Sequence, residues 1–417
     1  MKRVHVVGAG LAGLSAAVRL AEAGAAVALY ESAPQAGGRC RSWYDAQLGL
    51  TIDNGNHLVL SGNRAVMDYV RLIGAEDRLI GPDKARFEWL DMRDGERWTL
   101  RPNDGVVPWW LLRAGRRVPG SSVGEYGALA RLLGAGTAAT VGETIRCEGP
   151  LWERLIEPFL VSALNAPARL GSARLAGAVI RGSLARGGRA ARPRVAHPTL
   201  AAAFVDPALG WLAQRGASVT LGRRLRAIGF ADGRAASLDF GECARTLDDS
   251  EAVVLALPAW GAQELLPGLS APTEHNAIVN AHFAVVPPTG ASLLTGLVGG
   301  AAEWVFALPD RVSTTTSAAE RLVGEDRAVL ARRLWADAAR ALGMAAGPVP
   351  PHRIVAEKRA TFAATPAQDA LRPGTATQWR NLFLAGDWTQ TGLPATIEGA
   401  LASGVAAARL ALRCGNA

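Results

Sequence analysis

Lysine is scarce in this chain of 417 residues, although its formal net charge is +8. Lysine occurs only at Lys2, Lys84 and Lys358, so arginine carries almost all of the positive charge. No basic run is interleaved with aromatic residues in the manner of a nucleic-acid groove, and we therefore expect no nucleic-acid partner. An anionic lipid surface is left open as a partner.

Cysteine is equally sparse. Cys40, Cys147, Cys243 and Cys414 lie far apart, with no CxxC pair and no spacing typical of metal ligands. We therefore expect a reducing compartment and no metal site. The chain also lacks the GxSxG, HExxH and P-loop patterns, so the chemistry of those motifs is not indicated.

Long apolar runs are absent as well. No stretch of roughly 18 residues is apolar enough to span a membrane without intervening charges or glycines. The first residues, Met1-Lys2-Arg3 and an apolar run, resemble a secretion signal, but the glycine motif described next occupies that run. We therefore expect an uncleaved cytoplasmic protein, with peripheral contact at the inner face of the cytoplasmic membrane left open.

The N-terminal motif predicts a dinucleotide site. An apolar strand over residues 4–7 runs into Gly8-Ala9-Gly10-Leu11-Ala12-Gly13, and a helix and a second strand follow. In this order the first glycine permits the turn, the second lets a pyrophosphate approach the backbone, and the third allows close packing. The helix N-terminus attracts the phosphates. We expect Glu31, at the end of the second strand, and the adjacent Ser32 to bind the adenosine ribose side of the cofactor.

Two further motifs indicate a flavin. Gly37-Gly38-Arg39 is typical of flavin-type dinucleotide domains, in which Gly38 and Arg39 would reach the pyrophosphate or the flavin edge; the alternative is an ordinary glycine turn. Near the C-terminus, a buried strand ends at Gly386-Asp387 and a helix opens at Thr396-Ile397. Asp387 can accept from ribityl hydroxyls, and the N–H groups near Thr396 and Ile397 can stabilise charge on reduced flavin. We therefore expect both chain ends to bind one non-covalent FAD.

A polar turn, Asp53-Asn54-Gly55-Asn56-His57, follows a short predicted strand and should lie near the flavin ring. His57 could donate a proton to a leaving group or simply hydrogen-bond the cofactor, and the alternative is a turn with His57 packed against it. We take His57 as the catalytic candidate. Asn56, His57 and Leu225 complete the predicted cofactor contacts.

These segments predict an α/β fold, a Rossmann-like FAD-binding domain of the GR2 type with an inserted α+β substrate domain. The cofactor domain would comprise residues 1–81, 199–266 and 358–417. Residues 82–198 and 267–357 would form the substrate or lid domain. Residues 82–198 read as mostly helical, with a flexible connection at 181–198.

Trp109-Trp110-Leu111-Leu112, followed by Arg113, Arg116 and Arg117, combines bulky apolar groups with cations. Such a mixture suits a membrane interface. The alternative, which is more common, is the end of a core helix with solvated arginines.

The glycine motif, Gly37-Gly38-Arg39 and the ending Leu384-Ala385-Gly386-Asp387 resemble the flavin amine oxidase and phytoene desaturase superfamily. Further blocks are similar to the hydroxysqualene dehydroxylase family, namely residues 53–58, 151–153 with 164–165, 358–366, 386–389 and 392–400. The resemblance covers nearly the whole chain, and Asn56 departs from it because a glutamine is more usual there.

The resemblance implies FAD and the reductive removal of an allylic hydroxyl from hydroxysqualene, which gives squalene for hopanoid biosynthesis. It also implies a long isoprenoid substrate in an apolar tunnel and an electron donor that the residues do not identify. Because hydroxide is a poor leaving group, a proton should accompany its departure, and His57 is the proposed source.

Other functions compete with this one. A phytoene- or carotenoid-type desaturase would remove hydride from its substrate instead of supplying it, and the composition does not separate the two. A flavin amine oxidase is disfavoured, because its substrate is commonly framed by tyrosines, and the second half of this chain has none. A non-catalytic prenyl carrier would bind flavin weakly or not at all.

Overall fold

Strands and helices alternate along the computed structural model, which describes residues 2–242, 244–345 and 347–414. Its strands, numbered in chain order, are β1 (Arg3–Val7), β2 (Ala26–Tyr30), β3 (Ser42–Asp45), β4 (Leu50–Asp53), β5 (Leu58–Leu60), β6 (Leu79–Ile80), β7 (Phe87–Asp91), β8 (Arg97–Leu100), β9 (Pro193–Ala196), β10 (Ser218–Thr220), β11 (Ala227–Ala231), β12 (Arg234–Asp239), β13 (Ala244–Thr246), β14 (Ala252–Leu255), β15 (His275–Phe283), β16 (Leu294–Val298), β17 (Trp304–Leu308), β18 (Arg311–Thr316), β19 (His352–Phe362) and β20 (Leu382–Leu384).

The α-helices, numbered in the same way, are α1 (Leu11–Glu22), α2 (Arg64–Leu72), α3 (Gly127–Leu133), α4 (Val141–Thr144), α5 (Glu157–Leu164), α6 (Ala173–Gly182), α7 (Asp206–Ala213), α8 (Ala259–Leu265), α9 (Glu320–Val323), α10 (Arg327–Ala341), α11 (Pro366–Ala370) and α12 (Ile397–Arg413). Two π-helical turns, Trp152–Ile156 and Ala201–Val205, lead directly into α5 and α7. Single 3-10 turns lie at Gly38–Cys40, Glu76–Arg78, Trp109–Leu112, Ala114–Arg116, Gly124–Tyr126, Ala168–Leu170, Leu184–Arg186 and Gly188–Ala190. Across the described ranges, no helix combines the length and the apolar character needed to cross a membrane.

Five strands form a parallel sheet in the spatial order β10-β2-β1-β14-β20. Their apolar, Val- and Leu-rich runs suit strands that are covered by other elements on both faces. Val7 pairs with Tyr30 on one side and with Leu255 on the other, and Leu255 in turn pairs with Leu384. The N-terminal and C-terminal segments of the chain therefore share one sheet, as the predicted Rossmann-like class requires.

Small residues let α1 and α12 pack against each other on this sheet. A Cβ atom added to Gly404 would collide with the backbone oxygen of Ala12 and would lie 2.7 Å from Cβ of Ser15. The hydroxyl of Ser15 donates a hydrogen bond of 2.8 Å to the carbonyl oxygen of Leu401. The two ends of the chain thus meet at backbone contact distance, which only small side chains permit.

Both predicted insertions contribute to a second sheet of seven strands, in the order β19-β15-β18-β17-β16-β7-β8. The β7–β8 hairpin comes from residues 82–198, and β16 joins it in parallel, whereas the other pairs are antiparallel. Helix α10 covers one face through Leu334 and Trp335. The α+β character predicted for the insertion is confirmed. The domain limits remain a prediction, and β19 passes through the limit placed at residue 357.

One prediction for residues 82–198 was incomplete and one was wrong. The regular structure of the interval is mostly helical, as predicted, but the interval also contains β7, β8 and β9, because aromatic residues alternate along the β7–β8 hairpin and pack on one face, with Trp89 stacked on Trp98. The connection at 181–198 is not a free linker, since β9 pairs with β5 and β6. A Cβ on Gly188 would lie 2.8 Å from the backbone oxygen of Pro102, so this glycine serves close packing.

The packing of α1 on α12 can be tested with two helical glycines. Gly404→Ala should lower the free energy of unfolding by about 1–3 kcal/mol or more, because the added methyl group has no room. Gly210→Ala in α7 is the matched control, since nothing lies within 4 Å of its Cβ position. That change should raise stability by about 0.5–1 kcal/mol, because alanine favours the helix. Thermal unfolding followed by circular dichroism measures both, and equal effects would contradict the packing.

Candidate active site

The turn between β1 and α1 has two glycines that are needed for packing and one that leaves space. A Cβ on Gly8 would collide with the backbone oxygen of Ala256, and a Cβ on Gly13 would collide with that of Gly8. At Gly10, in contrast, no protein atom lies within 4 Å of the Cβ position. No side chain caps α1 and no acidic residue stands in its first turn. The turn therefore fits a phosphate that approaches the backbone at Gly10.

The first N–H groups of α1 are available to such an anion. In the part of the chain that the structure describes, the amides of Leu11, Ala12 and Gly13 have no protein acceptor, whereas Leu14 donates to the carbonyl oxygen of Gly10 at 2.9 Å. Amides at a helix N-terminus that lack partners carry partial positive charge and attract anions. The backbone alone thus provides an anion site here.

Glu31 is already engaged by its own neighbourhood. The amide of Ala9 donates to Oε2 at 2.8 Å, while the amide of Ala33 and the hydroxyl of Ser32 donate to Oε1 at 2.8 and 3.1 Å. Carboxylate oxygens accept more than one hydrogen bond each, so Glu31 retains capacity for ribose hydroxyls. In this structure Ala9 and Ser32 serve to position that carboxylate.

Leu225 lies beside the same corner of the sheet. The loop after β10 folds back onto the Glu31 segment, since the amide of Gly222 donates to the carbonyl oxygen of Ala33 and the amide of Arg223 to that of Glu31, at 2.9 and 2.7 Å. Leu225 is buried in this loop. Its contact with a cofactor stays a prediction.

Arg39 joins the two ends of the chain. Its Nη2 donates to Oδ1 of Asp387 at 2.7 Å, and its Nη1 donates to the carbonyl oxygen of Ala360. The preceding turn places Gly37 at a φ of 106° and bonds its amide to the carbonyl oxygen of Ala9 at 2.8 Å. Because 42% of the Arg39 side chain is accessible, the guanidinium can contact a ligand in addition to Asp387.

A second arginine, which sequence reasoning missed, supports the Asp387 loop from behind. Arg372 is fully buried and donates to the backbone oxygen of Asp387 at 3.2 Å, to Oδ1 of Asp369 at 3.0 Å and to Oγ1 of Thr391 at 2.9 Å. Arg174 pairs with the same Asp369 at 2.5 Å. No sequence motif marks Asp369 or Arg372, because their role comes only from the loop that folds around them.

The N-terminus of α12 presents one amide to the same region. The hydroxyl of Thr396 accepts from the amide of Gly399 at 3.1 Å and so caps the helix. Glu398 turns away and accepts from the amides of Ala65 and Val66, at 3.1 and 3.0 Å, at the start of α2. Within the described ranges the amide of Ile397 has no protein acceptor, so it can face a negatively charged group.

The turn that carries His57 is fixed by the second sheet. The amide of Asn56 donates to Oδ1 of Asn280 at 3.3 Å, and its Nδ2 donates to Oγ1 of Thr315 at 3.2 Å. Gly55 allows this approach, since a Cβ there would lie 2.8 Å from Nδ2 of Asn280. The structure therefore directs the side chain of Asn56 toward β18, and its predicted contact with the cofactor stays a prediction.

Asp53, at the start of this turn, is a buried anchor. Its Oδ1 accepts from the hydroxyl of Ser42 at 2.6 Å and from the amide of Leu200 at 2.9 Å, and its Oδ2 pairs with Arg311 at 3.3 Å. Nε2 of His282 lies 3.0 Å from its backbone oxygen. Burial raises the pKa of Asp53, although these donors counteract the increase. Sequence reasoning missed Arg311 and His282 because strands far along the chain supply them.

His57 is half-buried and lies close enough to Arg39 to be affected by its charge. Burial and then the positive charge of Arg39 lower the pKa of His57 to about 4. In the described residues no protein group hydrogen-bonds its ring, so the imidazole is left for another partner. A pKa this low means that His57 is neutral at neutral pH, and an acid role requires protonation during the reaction.

The glycine turns, Arg39, Asp387 and the start of α12 thus converge from both ends of the chain. Residues 11–412 match the family described as flavin containing amine oxidoreductase. The hydroxysqualene dehydroxylase of Rhodopseudomonas palustris is 53% identical over 417 residues, which is 100% of both chains. This chain belongs to the hydroxysqualene dehydroxylase family. It is a flavin-dependent oxidoreductase, as the sequence resemblance predicted.

Two further comparisons concern the fold and the alternative desaturases. Cyclohexylamine oxidase from Brevibacterium oxydans superposes with a TM-score of 0.71 over 99% of both chains, at 15% identity. That likeness concerns the fold alone and confirms the predicted class. The zeta-carotene desaturase of Zea mays is 38% identical over only 78 residues, which is 19% of this chain and 14% of the relative. Similarity over the whole length therefore favours the hydroxysqualene dehydroxylase family over the desaturases.

The opening at Gly10 gives a test of flavin binding. Gly10→Val should yield a folded protein that purifies without flavin, because no protein atom lies within 4 Å of the Cβ position and the side chain would occupy the open space. Gly136→Val is the matched control, since its Cβ position is equally open and it lies in an exposed loop. Flavin absorbance per protein measures the outcome, with thermal unfolding as the check on folding. Full flavin content in Gly10→Val would contradict this placement of the phosphate.

Proposed function

We propose that this protein binds FAD non-covalently and reduces hydroxysqualene to squalene in squalene and hopanoid biosynthesis. One observation carries the proposal: in a chain of the hydroxysqualene dehydroxylase family, Gly10 pairs with Gly37, and the nearby Arg39 pairs with Asp387, so the open glycine turn and the C-terminal motif lie together. Burial and then the charge of Arg39 lower the pKa of His57, which supports our placement of His57 beside the same site. Cofactor and reacting group would therefore meet inside the protein.

Residues from both chain ends would hold the FAD. The free amides of α1 suit the pyrophosphate, and the carboxylate of Glu31 suits the ribose. Asp387 suits the ribityl hydroxyls, and the amide of Ile397 suits the flavin O2, where reduced flavin is negative. Each of these groups has the polarity that its part of FAD demands, which supports FAD over a smaller flavin.

Non-covalent binding is supported by the state of Cys40, the cysteine that follows Arg39. Burial raises the pKa of this thiol to about 12. The thiolate is the nucleophilic form of cysteine, so Cys40 is unreactive at neutral pH. We therefore propose no covalent tether to the flavin through this residue.

Reductive dehydroxylation replaces a C–O bond with a C–H bond and releases water, so it consumes one hydride and one proton. Bound FAD, kept reduced by an electron carrier, would supply the hydride. The proton must reach the oxygen as the C–O bond breaks, because hydroxide is a poor leaving group. We assign that proton transfer to His57, which would also orient the allylic hydroxyl.

The second sheet offers a wall for the isoprenoid chain. Trp304 pairs with Thr315 across the strands and therefore lies on the same face of the sheet as Thr315 and Asn280, which hold the His57 turn. Phe306 continues this face, and Nε1 of Trp304 is satisfied by the hydroxyl of Ser162 at 3.0 Å. Trp304 and Phe306 are buried beside the turn, and this apolar environment would favour a hydrocarbon substrate and would keep water from a developing allylic cation.

We also propose that the protein works in the cytoplasm, at the inner face of the membrane, as a peripheral protein. A hydroxylated triterpene partitions into lipid because each buried CH₂ group contributes about 0.8 kcal/mol. Within the described residues, Cys40, Cys147 and Cys414 are all unpaired. Free thiols suit a reducing compartment.

The proposed reaction has a direct test. Anaerobic incubation of the holoenzyme with hydroxysqualene and dithionite should give squalene, because the reaction needs hydride from the reduced cofactor. The oxidised holoenzyme without reductant and the Gly10→Val protein should give none. Gas chromatography with mass spectrometry measures the product. Absence of squalene together with desaturation of phytoene would overturn the proposal in favour of a desaturase.

The role of His57 can be separated from flavin binding. His57→Ala should retain flavin and lose turnover by about 10²–10⁴-fold, the usual contribution of a general acid. His352→Ala is the control, since that ring lies on β19 with Nδ1 2.9 Å from the backbone oxygen of Pro350.

The pH profile gives a second readout. With a pKa of about 4, the protonated fraction of His57 grows as the pH falls. The kcat/KM of the parent should therefore rise from pH 7 toward pH 5, and this slope should vanish in His57→Ala. Unchanged turnover in a flavin-replete His57→Ala protein would end its assignment as the acid.

A further inference from the structure

Four apolar side chains project from the surface loop at residues 106–112. For this segment the sequence left two interpretations open, a membrane interface and the end of a core helix. Val106, Val107 and Leu112 leave 68%, 73% and 75% of their surface accessible, and Trp109 leaves 45%. We call these four residues the apolar patch. Trp110 points inward instead and packs edge-on against Tyr126, with ring centroids 5.5 Å apart. The segment is thus part core and part exposed surface.

The loop that carries the patch has a defined shape. Asn103 is buried, and its Nδ2 donates to the carbonyl oxygens of Gly105 and Val107 at 3.0 Å each. Its Oδ1 accepts from the amide of Trp110 at 3.2 Å, and its backbone oxygen accepts from the amide of Gly188 at 2.7 Å. These bonds hold the apolar side chains outward, so their exposure is a property of the fold.

Cations border the apolar patch. The guanidinium groups of Arg113 and Arg116 lie over the ring of Trp109, 5.6 and 5.0 Å from its centroid. Beside Arg116 is a pocket of about 250 Å³, lined by Pro82, Lys84, Ala85, Arg86, Arg101, Pro102 and Arg116. Arg116 thus connects the cations of this pocket to those over Trp109, and Lys84, Arg101, Arg113 and Arg116 all border this surface.

In the described ranges, the acidic residues near this surface leave four of its cations without an ion pair. Arg86 pairs with Glu88, and Asp104 pairs with Arg192. Among the residues that the structure describes, no carboxylate pairs with the four cations at the patch, which are Lys84, Arg101, Arg113 and Arg116. Their charge is therefore available to an external anionic group.

We propose that the apolar patch and these four cations dock the protein on a bilayer that contains anionic phospholipid. Apolar side chains at the tip of a basic surface enter the interface while the cations contact lipid phosphates. A second copy of this chain is a poor occupant, because a symmetric contact would bring the same unpaired cations together. The inference rests on the proposed function, since a hydrocarbon substrate must be taken from lipid.

Vesicle sedimentation tests this surface with the holoenzyme. Binding to vesicles of equal parts phosphatidylcholine and phosphatidylglycerol should exceed binding to pure phosphatidylcholine, and it should fall as salt rises. Val107→Ser combined with Leu112→Ser should weaken binding by about tenfold or more, because both changes remove inserted apolar area. Lys84→Gln combined with Arg101→Gln should abolish most of the preference for phosphatidylglycerol.

The exposed start of α10 supplies a matched control. Val329→Ser, combined with Arg327→Gln and Arg332→Gln, removes one exposed apolar and two exposed cationic side chains from another surface. This triple variant should bind vesicles like the parent. Equal binding of the parent to both kinds of vesicle, or full binding by the patch variants, would overturn the proposal. Self-association of the parent that the patch variants abolish, with no vesicle binding, would also overturn it.

Turnover measured in detergent separates this inference from the proposed function. Patch variants should convert detergent-solubilised hydroxysqualene at the parental rate, because none of the substituted residues is assigned to flavin binding or to proton transfer. A parent that binds anionic vesicles but yields no squalene would overturn the function and leave the docking surface standing. A parent that yields squalene without binding vesicles would overturn the docking surface alone.

Discussion

The architecture depends on backbone contact between the two ends of the chain. α1 and α12 approach so closely that Gly404 leaves no room for a side chain, and the single strand β14 separates β1 from β20 in one parallel sheet. This contact between α1 and α12 fixes the relative positions of the glycine turn, the Asp387 loop and the start of α12. Removing the close approach would separate every group that the flavin needs.

Charged side chains also hold the two ends of the chain together. Arg39 and Asp387 form an ion pair between these ends at 2.7 Å, and the buried Arg372 donates to the backbone oxygen of Asp387. Opposite charges that are already paired leave little net charge to oppose an anionic cofactor. The free amides of α1 and α12 supply positive potential without any further charged side chain.

The second sheet contributes the substrate side of the site. Asn280 and Thr315 fix the His57 turn from strands that lie more than 200 residues later, and Arg311 and His282 fix Asp53 beneath it. The low pKa of His57 follows from this enclosure, since a buried imidazole near a guanidinium resists protonation. The burial of the His57 turn thus both limits the access of water and lowers the pKa of the proposed proton donor.

By itself, the sequence determined the α/β class, the family and the backbone amides at the glycine turn that suit a phosphate. These features depend on the local order of strand, glycine turn and helix, which adjacent residues encode. It also indicated Arg39 and Asp387 as partners of one cofactor. Only the tertiary structure decided that Arg372 and Asp369 support the Asp387 loop, that Asn56 turns to β18, and that residues 82–198 contain a β-hairpin. It alone also separated buried Trp110 from exposed Trp109. These outcomes depend on contacts between residues far apart in the chain, and no spacing within one segment encodes them.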